Sequence, residues 1–435
     1  MVARDDLFAR QPLPRTRSPK NTALKPKYIP HWLAHRAGWV LCWFGARFLW
    51  KSHYEYEQPF PQDGPVLLLC NHTSALDPIW VAWGGWRPMH YMASQQLFRF
   101  KALAALIRTM GAFPKIKNTR DRKANQTLEQ LYEDGRCIVL FPEGARTWDG
   151  RLHELRPGIG RLVKRLNARI VVGRVTTGHL HRPRWAPHAR DVPVHVQYSA
   201  PRRFPDEMSA EEITDEIAEA MRIDPDSIYA PPGSSGERLA EGLPFYLWAC
   251  LECFEMEALY VEPSDRDVIA CNACSARWRV DVHNRLHALD DHAEDTAVHR
   301  AAEDLESHFG DPPVADEPTF DETGIVLESP DMEIGTLPRG ERTFEPVVRG
   351  RARAYEDRLE CESAHGETWV LPFEDVKAIS VELESVLQLR TEDCLYQLEP
   401  GGESTVKWAH FLRPWHARIR WPEDHERAPE ANRTE

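Results

Sequence analysis

An α/β domain, followed by a small metal-binding module and a β-rich domain, is the architecture that the 435-residue sequence predicts. Three observations carry it. Short apolar runs bounded by turn residues, at Pro65–Cys70, Arg136–Phe141 and Ala168–Val172, alternate with helical stretches at Leu97–Met110, Arg122–Asp134 and Ser209–Met221. Two CxxC pairs follow, at Cys250/Cys253 and Cys271/Cys274. Beyond residue 323 the pattern changes to short alternating strands, as at Ile379, Val381 and Leu383, and Trp408, Phe411, Trp415 and Ile419 then recur at helical spacing over Lys407–Arg420.

Composition draws the boundaries. Residues 1–28 read as a disordered basic arm without the apolar stretch of a signal peptide. The α/β domain occupies 29–228, and 229–245 is a linker marked by Ala-Pro-Pro-Gly-Ser-Ser-Gly at 230–236. The metal-binding module spans 246–282, an acidic linker with short helices 283–322, the β-rich domain 323–422 and a tail 423–435. Gly135 stands where a helix C-cap is expected, and Ser209 opens an acidic helix. Residues 1–210 carry a net charge of +17 and residues 211–435 one of −30. The basic half suits anionic partners such as phosphates, coenzymes and lipid headgroups, and the acidic half argues against nucleic acid. No apolar run approaches the roughly 20 residues needed to span a bilayer. The nine cysteines form no dense disulfide framework.

Chemistry gathers at the ends of two strands. Asn71-His72-Thr73-Ser74-Ala75-Leu76-Asp77 follows the first apolar run, so a turn can bring the Asp77 carboxylate back to one imidazole nitrogen of His72. The other nitrogen then becomes a base of fixed tautomer, and a His–carboxylate pair with no adjacent nucleophile suggests proton abstraction from a hydroxyl. Phe141-Pro142-Glu143-Gly144-Ala145-Arg146-Thr147 follows the second run, placing a carboxylate and a guanidinium where α/β sheets bind ligands. Arg146 suits bidentate phosphate contact, and Arg151 and Arg156 continue a basic rim.

The His72/Asp77 block, with Phe-Pro-Glu-Gly-x-Arg about seventy residues later, resembles the glycerolipid acyltransferase superfamily, the 1-acylglycerol-3-phosphate acyltransferase-like or PlsC type, over residues 30–225. The resemblance implies an O-acyltransferase acting in phospholipid biosynthesis. His72 would be the general base and Asp77 its orienting partner, with acyl-CoA or acyl carrier protein as donor. The acceptor would be a lysophospholipid, first of all 1-acyl-sn-glycerol-3-phosphate, held by Asn71, Glu143, Gly144 and Arg146. A third family block corresponds to Gly111–Lys117; the family's arginine falls at Lys117, which keeps the charge without the planar fork, and Arg120 lies three residues on. A fourth block ends in proline in the family, whereas Gly173 follows Ile170-Val171-Val172 here.

Trp32, Trp39, Trp43 and Trp50 fall within about 40° of one another on a helix over His31–Lys51, beside Arg36 and Arg47. Trp beside Arg on an apolar helix suits the headgroup boundary, so contact with anionic lipid from the cytoplasmic face of a membrane is expected. Cys250-x-x-Cys253 and Cys271-x-x-Cys274, seventeen residues apart, resemble a zinc ribbon with four thiolates on a structural zinc. Acidic neighbours (Glu252, Glu255, Glu257, Glu262) point to a protein-contact or spacer role for it. Trp369–Ile379 resembles PH/GRAM-like domains, and Arg349, Arg351 and Arg353 share a strand face that reads as a solvated outer surface. Two rival readings stay open: an acyltransferase for another lysophospholipid or a glycolipid, and a catalytically silent lipid-binding scaffold.

Overall fold

A computed structural model describes residues 44–98, 100–116, 121–310, 324–338, 344–382 and 386–412. The basic arm, most of the His31–Lys51 helix, Lys117 and Arg120 lie outside these residues.

Continuous apolar runs make strands that are buried on both faces. β1 (His53–Tyr56), β2 (Val66–Cys70), β3 (Met89–Ser94), β4 (Ala112–Lys115), β5 (Cys137–Leu140), β6 (Ile170–Val175) and β7 (His195–Tyr198) form one sheet in the order β1-β7-β6-β2-β5-β3-β4. Strands β2 to β6 are mutually parallel, whereas β7 runs antiparallel to β6. All of β2 is buried: Val66, Leu68 and Cys70 enter one core and Leu67 and Leu69 the other.

Helices α1 (Asp77–Gly85) and α2 (Lys101–Thr109) connect β2 to β3 and β3 to β4. Helices α3 (Arg122–Glu133) and α4 (Gly158–Arg165) connect β4 to β5 and β5 to β6, crossing the sheet the other way. Right-handed crossovers in opposite directions put the two pairs on opposite faces. Trp80 and Val81 of α1 accordingly pack with Leu68, and Leu128 of α3 and Val163 of α4 pack with Leu67. Helix α5 (Ala210–Met221) joins the second layer behind a Ser209/Glu212 capping box. It approaches α4 so closely that a Cβ on Gly160 would lie 1.8 Å from the Ala210 carbonyl oxygen. The direction of connection reverses between β2 and β5, so their carboxyl ends open onto a crevice.

Strands β8 (Leu259–Val261), β9 (Val268–Cys271), β10 (Arg277–Val280), β11 (Arg285–Ala288) and β12 (Thr296–Ala297) form an antiparallel meander closed by helix α6 (Val298–Phe309). Two expected boundaries change here. Residues 283–322 read as an acidic linker with short helices; a helix is present, α6, but with β11 and β12 it belongs to this sheet and core, with Leu286, Val298, Ala301 and Leu305 buried. Residues 229–245 were also expected to be linker, yet Leu239, Ala240 and Leu243 are buried in the same core beside Trp148 and Trp185 of the α/β domain. Both segments are polar on average, and their few apolar residues are too sparse to announce a period.

Seven antiparallel strands follow: β13 (Leu327–Pro338), β14 (Glu345–Ala354), β15 (Arg358–Ser363), β16 (Thr368–Pro372), β17 (Ala378–Glu382), β18 (Val386–Arg390) and β19 (Cys394–Pro400). Their order is β16-β15-β14-β13-β19-β18-β17, and α7 (Thr405–Phe411) buries Trp408 against them. The arginines of β14 face carboxylates across the sheet: Arg349 pairs with Asp331, Arg351 with Glu328 and Arg353 with Glu362. The face is solvated, as the carboxylates close by in sequence suggest.

Candidate active site

The turn after β2 brings His72 and Asp77 together. His72 Nδ1 lies 2.8 Å from Asp77 Oδ2, and the carboxylate is fully buried at the start of α1. Asp77 also accepts from the Thr73 and Ser74 backbone N–H groups (2.6 and 2.9 Å) and from the Thr73 hydroxyl (3.0 Å). An acceptor so fixed makes Nδ1 the protonated nitrogen and Nε2 the basic one. The imidazole stacks on Phe141 at 4.3 Å and keeps 21% of its surface open.

The second motif is joined to the first through the backbone groups of His72. The His72 N–H donates to Glu143 Oε1 (2.6 Å), and the Thr147 N–H donates to the His72 carbonyl (2.8 Å). Glu143 Oε2 takes the His153 N–H at 2.9 Å, and only 3% of the residue is exposed. Glu143 therefore braces two loops, a different task from the acceptor contact expected of it. Asn71 likewise pairs with the Val175 backbone, donating at 3.1 Å and accepting at 2.7 Å, and so locks β2 to β6. Both residues look like ligand groups in a linear sequence because the backbone partners that engage them lie far along the chain.

Burial pushes the Glu143 carboxyl up to about 8, while the His153 and His72 N–H groups pull it down and the nearby Asp77 charge adds to the rise. A carboxyl raised in the folded state stabilises fully below its unfolded value, and that stability is lost as pH rises through 8. The wild-type melting temperature should therefore fall relative to Glu143→Gln between about pH 6 and pH 9. A constant offset across that range would place the titration elsewhere.

Cationic groups ring the loop. Gly144 has φ +75°, and a Cβ there would lie 2.8 Å from Arg156 Nε, so glycine makes room for that guanidinium. Lys115, the last residue of β4, is half-buried; burial lowers its pKa, Asp121 opposes the fall and Arg156 adds to it. Lys115 thus has both a carboxylate, Asp121, and a guanidinium, Arg156, nearby. Sequence reasoning missed Lys115; the signal was its place at the end of the run Ala112-Phe113-Pro114, directly after Gly111. Arg146 is half-buried, with its carbonyl accepting from Arg184 Nη1 at 2.8 Å. Arg151 leaves the expected basic rim: it is tied to Asp149 (2.7 Å) and Glu303 (3.2 Å).

The four cysteines converge in the second module. Their Sγ atoms all lie within 4.8 Å of one another, with Cys250–Cys274 at 3.6 Å and Cys253–Cys271 at 3.8 Å. Four thiolates about 2.3 Å from a tetrahedral zinc would have edges of about 3.8 Å, so the cluster has the size zinc requires. Phe254 and Ser275, each following the second cysteine of a pair, both adopt positive φ (57° and 66°), which turns the two knuckles alike. Backbone N–H groups of Glu252 and Ala273 point at Cys250 and Cys271 Sγ (3.5 and 3.3 Å), as thiolate ligands favour.

Parts of the chain are similar to known proteins. A 1-acyl-sn-glycerol-3-phosphate acyltransferase of Bacillus subtilis is 27% identical over 92 residues, 21% of this chain and 46% of the relative. One from Limnanthes alba is 26% identical over 140 residues, 31% of this chain and 50% of the relative. The chain thus spans about half the length of these curated relatives. The crystal structure of the 1-acyl-sn-glycerophosphate (LPA) acyltransferase PlsC from Thermotoga maritima is 18% identical, with a TM-score of 0.37 over 43% of this chain and 78% of that one. Residues 51–175, which hold the His72/Asp77 turn and the Glu143–Arg146 loop, match the family model described as Acyltransferase.

Proposed function

We propose that the protein transfers a fatty acyl group from acyl-CoA or acyl carrier protein to a lysophospholipid, with 1-acyl-sn-glycerol-3-phosphate as the first candidate. The buried Asp77 carboxylate bonded to His72 Nδ1 carries the reading. His72 Nε2 takes the proton of the acceptor hydroxyl as its oxygen attacks the thioester carbonyl. The C–S bond then breaks, and the imidazolium returns the proton to the leaving thiolate. Arg146, Lys115 and Arg156 supply the charge that would hold the acceptor phosphate, and Lys117 and Arg120 remain candidates beside them. Asn71 and Glu143 keep the loops in place, and Gly144 keeps the space.

A lipid surface fits the unequal layers of the domain. On α2 the outward residues are Ala102, Ala105 and Leu106, flanked by Leu97 (42% exposed) and Phe100 (68% exposed). On the opposite layer the outward residues are charged or polar and include Arg122, Lys123, Gln126 and Glu133 of α3, Arg161, Lys164 and Arg165 of α4, and Glu211, Glu212, Asp215, Glu216 and Glu219 of α5. An apolar layer on one side, with Lys101 at its edge, suits peripheral attachment to anionic lipid on the cytoplasmic face. No helix among the described residues is long and apolar enough to cross a membrane. The cysteine cluster would hold a structural zinc, since four thiolates leave no position for substrate. The strand order and closing helix of the third module support the PH-like reading.

The test is thiol release by the full-length protein with lysophosphatidate or with monoacylglycerol as acceptor. Lysophosphatidate should be preferred at least about tenfold in kcat/KM, and Arg146→Ala should raise its KM about 10–100-fold with little change for the thioester. Equal use of both acceptors would remove the phosphate from the reading.

A further inference from the structure

The acceptor loop is held from outside by groups that neither sequence motif contains. Arg184 donates through Nη1 to the Arg146 carbonyl and through Nη2 to the Val381 carbonyl of β17, each at 2.8 Å. Its guanidinium lies over the Trp148 ring, 4.1 Å from the centroid. Trp148 also stacks on Tyr246 of the one-turn helix Leu243–Tyr246, at 5.3 Å and 7° between planes. The Tyr246 hydroxyl donates to Asp149 Oδ2 at 2.7 Å, and Arg151, bonded to the same carboxylate, reaches Glu303 of α6. Residues 146–151 are thus bounded by side chains or carbonyls from all three modules. Gln96 and Gln388 form a second bridge, at 2.9 Å, between the α/β and β-rich domains.

These contacts are desolvated. Trp148, Asp149, Arg184 and Tyr246 are each exposed by 9% or less. Buried charge-assisted hydrogen bonds and cation–π contacts are stronger than their surface counterparts. A guanidinium that links two carbonyls in different domains fixes their separation, because its donors lie in one rigid plane. The Arg146 backbone is one of those two points.

We propose that Arg184 is a positioning residue through which the two appended modules set the acceptor loop, so that acceptor affinity depends on their docking. The inference rests on the proposed role of the loop in binding the acceptor. A plain interface residue would change stability alone, whereas a positioning residue changes acceptor binding and leaves the donor side unchanged.

The experiment uses the full-length protein and the variants Arg184→Ala, Arg184→Lys and Tyr246→Phe, with lysophosphatidate and an acyl-CoA as probes. Arg184→Ala should raise the lysophosphatidate KM about tenfold or more, with kcat and the thioester KM within about twofold. Arg184→Lys should behave like alanine, since a point charge cannot bridge both carbonyls. Tyr246→Phe keeps the stack on Trp148 and should raise the same KM by a smaller factor. Amide hydrogen exchange of residues 144–151 should quicken in Arg184→Ala, a readout independent of turnover. Unchanged acceptor KM in all three variants, or equal effects on both substrates, would overturn the inference. If Arg184→Ala does not fold, Arg184→Lys and Tyr246→Phe decide. Wild-type protein that turns over neither acceptor would instead defeat the proposed function, and unaltered exchange in the variants would then defeat the inference as well.

Discussion

His72→Ala should lower acyl transfer by about 10²–10⁴-fold while the melting temperature stays within a few degrees of wild type. Alanine keeps the N–H that reaches Glu143 and the carbonyl that receives Thr147, so the joint between the motifs survives. What disappears is the base. Asp77→Asn is a poorer probe of chemistry, because that carboxylate also accepts from two backbone N–H groups and the Thr73 hydroxyl. It should lose both activity and stability. Near-normal thiol release by a folded His72→Ala protein would sink the general-base mechanism.

Changing Cys271 and Cys274 together to serine should abolish metal binding and lower the melting temperature by about 10 °C or more, since a structural zinc contributes several kcal/mol to folding. Elemental analysis should find one zinc per wild-type chain and none in the variant. The effect should reach beyond the module: Cys250 and Cys271 share a core with Leu243, Tyr246 and Trp148, so acceptor KM should rise as the core loosens. The same shared core means that a chain cut at residue 230 would strip Trp148 and Trp185 of their cover. Chelation that abolishes turnover at once, with folding intact and zinc alone restoring it, would give the metal a catalytic place instead. A wild-type chain without metal would end the zinc reading.

The sequence made some of this legible and hid the rest for physical reasons. Strands β2, β5 and β6 were readable because burial on both faces demands unbroken apolar runs. β1 and β7 were not, since His53–Tyr56 and His195–Tyr198 mix polar and aromatic residues that register only once they pair. The His72/Asp77 contact was readable because its partners are five residues apart, within one turn. The brace made by Glu143 and the latch made by Asn71 were read as ligand contacts, because a side chain's backbone partner leaves no trace in residue type. Arg184 was invisible for a further reason: the two acceptors of its Nη atoms described above are carbonyls, which every residue has.

That last point bears on how such a site can change over time. The His72 N–H, the His72 carbonyl and the Thr147 N–H are main-chain groups, present whatever the side chain, proline aside. The bond from Thr147 to His72 therefore survives a change of either side chain, whereas the bond from the His72 N–H depends on the Glu143 carboxylate. Part of the framework is thus indifferent to side-chain identity, and under the proposed function the side chains at positions 115, 146 and 156 are the ones that could be exchanged to suit a new acceptor. On that reading a change of acceptor would need new residues at those positions and no new architecture.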